Sequence, residues 1–150
     1  MDPAEQKKLR FMVVDDKVSM VRTIVHMLRK LGYERTVTAD DGDSALMKLR
    51  GGEHVTFIVS DWNMPRMTGV ELLQAVREEE RLKDLPFIMI TAETDYDTVA
   101  QAGEVDVDGY LLKPFTLEAL KTRIEQVWEK RASPSPVETH INLAQVYIKA

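Results

Sequence analysis

Three aspartates, a threonine and a lysine close the apolar runs of this 150-residue chain. FMVVD at 11 to 15 is followed by Asp16, VTFIVSD at 55 to 61 ends on Asp61, PFIMIT at 86 to 91 ends on Thr91, and GYLLKP at 109 to 114 carries Lys113. A single aspartate after a strand is more often a turn residue or helix cap than a ligand. Five chemically active side chains at the carboxyl ends of strands in one open sheet are a different matter, because that edge is where such sheets bind ligands. Three clustered carboxylates repel one another, and one would be driven to hold a proton unless a cation intervenes. Oxygen ligands with room for water suit Mg²⁺ better than a caged Ca²⁺, and the chain has no cysteine and no paired histidines to hold zinc. Such an ion also accepts phosphate oxygens, and Lys113 would add positive charge opposite the same group. The residues therefore point to phosphoryl chemistry.

The elements that must position them follow from periodicity. The four apolar runs suit buried strands, and RTVTA at 35 to 39, with alternating character, suits a sheet edge. Between them Val18, Val21, Val25, Leu28 and Leu31 recur at helical spacing, as do Val70, Leu73 and Val76, and then Leu117, Leu120, Ile124 and Val127. Shorter helical stretches are expected over 43 to 50 and 95 to 102. Five strands alternating with helices predict a doubly wound α/β fold, a five-stranded parallel sheet covered on both faces.

At this length a single domain buries roughly two-thirds of its unfolded surface, so no disulfide scaffold is needed. A formal charge of -5, from 20 basic and 25 acidic residues, argues against nucleic acid as partner. No apolar run approaches the ~20 residues of a membrane span, and the start MDPAEQKKLR offers no signal peptide. A cytoplasmic protein without membrane insertion is expected. The segment ASPSPV at 132 to 137 reads as a linker, which leaves residues 1 to 131 as the main domain. Residues 138 to 150 form a helical-patterned tail in which His140, Leu143, Ala144 and Tyr147 partly match the opening of a tetratricopeptide repeat. An ordinary tail docking on its own domain or on a neighbouring chain is the equal alternative.

VVDD at 13 to 16, SDWNMP at 60 to 65 followed by Gly69, ITAE at 90 to 93 and GYLLKPF at 109 to 115 resemble the receiver domain of two-component response regulators over residues 9 to 130, most of all the single-domain chemotaxis type. The resemblance implies a flavodoxin-like sheet of strand order 2-1-3-4-5. It implies Asp61 as phosphoacceptor from a histidine kinase or phosphotransfer protein, and Mg²⁺ held by Asp15, Asp16, Asp61 and the backbone carbonyl of Asn63. Lys113 would neutralise phosphoryl charge, and Thr91 and Tyr110 would be switch residues. Asn63 and Glu93 would modulate dephosphorylation. The output would be a downstream protein bound at the fourth helical stretch (95 to 102), the strand at 109 to 114 and the helix that follows. Lys17 stands where the chemotaxis type has an aromatic, and Gly109 stands where many DNA-binding regulators carry an acid.

A Mg²⁺-dependent phosphohydrolase with an aspartyl-phosphate is the competing class. The short connections leave little room for its cap, and Asp61 is followed by WNMP rather than by a second acid two residues on. A scaffold without phosphorylation is the third reading, disfavoured by the complete acidic set. His26, His54 and His140 are read as packing or surface residues, the eight methionines as mostly core, and Glu104, Asp106 and Asp108 as a solvated acidic loop. Trp62, next to Asp61, is expected partly exposed beside the site.

Overall fold

The structure, a computed structural model, describes residues 1–92, 104–105, 107–132 and 141–142. Its central sheet comprises β1 (Arg10–Val14), β2 (Arg35–Ala39), β3 (Phe57–Asp61), β4 (Phe87–Ala92) and β6 (Gly109–Lys113). They are all parallel and ordered β2-β1-β3-β4-β6, which is the expected 2-1-3-4-5 arrangement of the five main strands. The helices are α1 (Pro3–Lys8), α2 (Val18–Lys30), α3 (Gly42–Arg50), α4 (Gly69–Glu78) and α5 (Leu117–Ala132). A separate two-residue ladder joins β5 (Glu104–Val105) to β7 (Ile141–Asn142) in antiparallel fashion. The helical stretch expected at 95 to 102 lies outside the described residues.

Alternation along the strands divides the core in two. Phe11, Val13, Val59, Ile88, Ile90 and Leu111 face α2 and α5, meeting Ile24, Leu28, Leu120, Ile124 and Val127. Met12, Val14, Ile58, Met89 and Tyr110 point the other way, onto Ala45, Leu46, Leu49, Leu72, Leu73 and Val76 of α3 and α4. A side-chain period of two on strands and about 3.6 on helices produces this two-faced packing directly. Strand β2 is an edge strand in which only Ala39 is fully buried and Arg35 and Thr38 are exposed, as its alternating sequence predicts. Val18 departs from the helical stripe: it is 62% exposed in the first turn of α2, whose fully buried positions are Ile24 and Leu28.

Three local features differ from the sequence reading. Helix α1 was not expected, although Asp2 and Glu5 form a reciprocal capping box with a proline in the first turn. The chain from Ile141 begins with a ladder to Glu104–Val105 rather than a helix at those two residues; the rest of the tail, with His140, Leu143, Ala144 and Tyr147, lies outside the described residues. Asp108 is no solvated loop residue. Its carboxylate is 4% exposed, accepts the Phe87 amide at 2.7 Å and Arg77 at 2.9 Å through Oδ2, and takes Arg131 Nε at 2.6 Å on Oδ1. It lies at the amino end of β6, where the last turns of α4 and α5 deliver two guanidinium groups, and a buried carboxylate there is satisfied only because both reach it.

Candidate functional site

Every strand that carries a candidate residue ends at the same edge of the sheet. Asp61 is the last residue of β3 and Lys113 the last of β6, Asp15 and Asp16 directly follow β1, and Thr91 is the penultimate residue of β4. Parallel register makes this coincidence: Asp61 pairs with Ile90, Thr91 with Leu112 and Ala92 with Lys113, so the strand ends stay level.

Carboxylate oxygens of Asp15, Asp16 and Asp61 lie within 4.8 Å of one another. Lys113 Nζ donates to Asp61 Oδ1 at 2.7 Å and stands 4.0 Å from Asp15 Oδ2. The Lys17 amide donates to Asp15 Oδ1 at 2.9 Å, whereas Asp15 Oδ2 is buried and receives no hydrogen bond. Asp16 is exposed, so the cluster has a buried floor and an open rim.

Burial pushes the Asp15 carboxyl up to about 6, with the Lys17 amide opposing and the Asp61 charge adding to the rise. Asp61 is raised from the ordinary carboxylate value for the same first reason, and Lys113 counters it. Mutual repulsion, which the sequence reading made the main effect, is thus secondary to desolvation. An orphaned buried carboxylate oxygen beside two further carboxylates is the donor set of a hard cation, and the residues fit such a metal site.

Thr91 is buried at 1% exposure, and its hydroxyl donates to the Ala92 carbonyl at 3.3 Å. Tyr110 is likewise 1% exposed and pairs with Met89 of β4, two register positions before the Thr91–Leu112 pair. Asn63 is exposed two residues beyond Asp61; Glu93 lies outside the described residues. Trp62 is buried at 5%, contrary to the exposure expected. The chain stays extended past Asp61, with the Trp62 amide donating to the Ile90 carbonyl at 2.8 Å, so the indole takes the sheet face opposite Asp61. That face is the α3 and α4 side, where Met64 and Leu72 belong to the same cluster, not solvent.

Among the methionines Met12, Met64 and Met89 are buried, while Met47 is 73% exposed. His26 and His54 are exposed and stand apart from the acidic cluster, as read. Sequence reasoning missed Asp41 and Arg66, which join the loop after Asp61 to the start of α3. The capping pattern Asp41 to Ser44 was legible, but a partner 25 residues away was not.

Comparison with known proteins agrees with this geometry. Residues 11–125 match the family model described as the response regulator receiver domain. The chain is 48% identical over 122 residues to the chemotaxis protein CheY of Pseudomonas aeruginosa, covering 81% of this chain and 98% of that protein. It is 41% identical over 130 residues to CheY-3 of Vibrio cholerae, covering 87% and 99%. Among solved structures, the chemotaxis response regulator CheY4 of Vibrio cholerae superposes with a TM-score of 0.69 at 36% identity, over 79% of this chain and 98% of that one.

Proposed function

The chain belongs to the response regulator receiver domain family and is a phosphorylation-regulated switch rather than a turnover enzyme, and on that premise we propose that Asp61 is its phosphoacceptor. The observation that carries the assignment is the half-buried Asp61–Lys113 ion pair at 2.7 Å, with Asp15 and Asp16 gathered beside it. A carboxylate oxygen of Asp61 attacks the phosphorus of a phosphohistidine on a partner histidine kinase or phosphotransfer protein. The new O–P bond gives an acyl phosphate as the P–N bond breaks, and the imidazole leaves with the electron pair and takes up a proton. Lys113 moves its ammonium from Asp61 Oδ1 to the incoming phosphoryl oxygens, neutralising charge where it accumulates.

Asp15, Asp16, Asp61 and the backbone carbonyl of Asn63 would hold Mg²⁺, which when bound supplies charge neutralisation and orientation for the phosphoryl group. Their protonation then governs the affinity. Asp15, raised to about 6, has to lose its proton to serve as ligand, so Mg²⁺ affinity should fall by about tenfold per pH unit below that value. The sign for the metal-free fold is the reverse. A carboxyl whose folded pKa is raised stabilises the fold fully below its unfolded value and loses that contribution as pH climbs to about 6. Thermal melts from pH 4 to 7, with and without Mg²⁺, should therefore diverge most above pH 6. Curves that stay parallel would contradict the assignment of Asp15.

Thr91 and Tyr110 are the proposed route from the phosphoryl group to the surface around β6 and α5, where a downstream protein binds. A phosphoryl oxygen shifts a population only through a contact that differs between states, and the Thr91 hydroxyl can offer one. Tyr110 is already buried, so the signal is altered packing around a buried ring. Thr91→Ala should accept phosphate while losing the NMR shift changes at Tyr110; equal shifts in both proteins would place the coupling elsewhere. Asn63 and Glu93 are proposed to set the lifetime of the acyl phosphate. With Asn63 exposed beside Asp61, Asn63→Arg should screen the hydrolytic water and lengthen the lifetime several-fold in a decay assay.

Residues 1–131 form the proposed receiver and 132–137 its linker. The tail from 138 is open to two uses, a tetratricopeptide-like module or docking on its own receiver, and the β5–β7 ladder favours the second. A cytoplasmic location without membrane insertion is part of the proposal, supported by the lack, among the described residues, of any helix long and apolar enough to cross a membrane. The net charge of -5 supports a protein rather than a nucleic acid as output partner.

A further inference from the structure

The loop between Asp61 and α4 is held at both ends by backbone. The Trp62 amide donates to Ile90 and the Gly69 amide returns to the Trp62 carbonyl, each at 2.8 Å. Between them the Met67 amide donates to the Pro65 carbonyl at 2.8 Å, across Arg66 at φ 67°. This is a three-residue turn with its central residue in the left-handed region, where a side chain is costly and glycine or asparagine would be easier. Arginine keeps such a conformation only where its surroundings enforce it.

The surroundings come from α3. The Arg66 guanidinium contacts Asp41 Oδ2 at 2.5 Å, while Asp41 Oδ1 accepts the Ser44 amide at 2.7 Å and so caps α3. The Asp41 side chain is 10% exposed although that of Arg66 is 73% exposed, so one partner of the pair sits out of bulk water. Met67 lies against Gly42 so closely that a Cβ there would come within 2.8 Å of its Cγ and Sδ. Helix α3 is itself anchored in the core by Ala45, Leu46 and Leu49. A rigid element thus grips the strained turn at two adjacent points, a few residues after Asn63.

We propose that Asp41 and Arg66 form a clasp that positions the loop bearing Asn63, which makes both of them positioning residues for metal binding and phosphoryl acceptance at Asp61. The inference rests on the reading of that site given above. Neither side chain is placed among the reacting atoms. They act by fixing where the Asn63 carbonyl lies relative to the Asp15, Asp16 and Asp61 carboxylates, and a ligand set loosened by a fraction of an ångström binds its ion less well.

Arg66→Gly separates this role from simple stabilisation, because it removes the ion pair and also relieves the left-handed backbone. Asp41→Ser removes the same pair while keeping a good helix cap. Mg²⁺ titrations followed by tryptophan fluorescence should show binding weakened about three- to tenfold in each variant, the range for loss of one charged contact. The double variant should lose no more than either single one, and amide NMR shifts of Asn63 and Met64 should move in the metal-free protein. Titrations of both variants that superimpose on the parent, or losses that multiply in the double variant, overturn the clasp. A parent protein that fails to bind Mg²⁺ or to take phosphoryl label overturns instead the reading of the site, and the clasp falls with it.

Discussion

Asp61→Asn protein is expected to take up no phosphoryl label, from a kinase or from acetyl phosphate, under conditions in which the parent is labelled. An amide oxygen is too weak a nucleophile to displace the leaving group, and it brings no charge for the metal. Borohydride trapping with peptide mapping should place all the parent's label on the peptide containing Asp61. The fold should survive, since the carbamoyl oxygen can still accept from Lys113, which donates to Asp61 Oδ1 at 2.7 Å. Removing a carboxylate whose pKa is raised by burial also relieves desolvation, so a stability equal to or above that of the parent is expected near neutral pH. Label that persists in a folded Asp61→Asn chain would refute the phosphoacceptor assignment. Label on Asp15 or Asp16 alone would do the same, and would make Asp61 only a metal ligand.

The second large effect is structural and bears on the same loop. Gly69 opens α4 after a reciprocal cap between Thr68 and Glu71. A Cβ built at Gly69 would lie 2.3 Å from the Asp61 carbonyl oxygen and 2.6 Å from Met89 Sδ. The first contact is with backbone, which cannot rotate out of the way. Gly69→Ala should therefore cost about 2–3 kcal/mol or more, in the upper range of core overpacking, and should displace the carboxyl end of β3. Urea unfolding gives the stability loss. If the chain remains folded, labelling should fall as well, because Asp61, the proposed phosphoacceptor, is the strand residue whose carbonyl is pushed. A variant as stable as the parent would mean that β3 and α4 are less closely packed than this contact requires.

These two residues differ in how they could be found. Asp61 was legible because an acid closing a buried apolar run is chemically conspicuous, and because it recurs with Asp15, Asp16 and Lys113 at the ends of other such runs. Gly69 was visible only as part of a motif; the reason for a glycine is a distance to a carbonyl eight residues earlier.

The linear chain determined the strands, the parallel sheet and the edge that carries the chemistry, since hydrophobic periodicity and strand-end residues are local properties that side-chain burial enforces. Tertiary structure alone decided the rest. Trp62 is buried because the face opposite Asp61 is covered by α3 and α4, and no local pattern says what covers a face. Asp108 is a buried hub because Arg77 and Arg131 arrive from helices 31 and 23 residues away in sequence. The Asp15 carboxyl is raised chiefly by burial rather than by its acidic neighbours, and depth below the surface belongs to the packed molecule. Asp41 reaches Arg66 for a like reason: charge partners are chosen by proximity in space, which the order of residues constrains only after the helices have docked on the sheet.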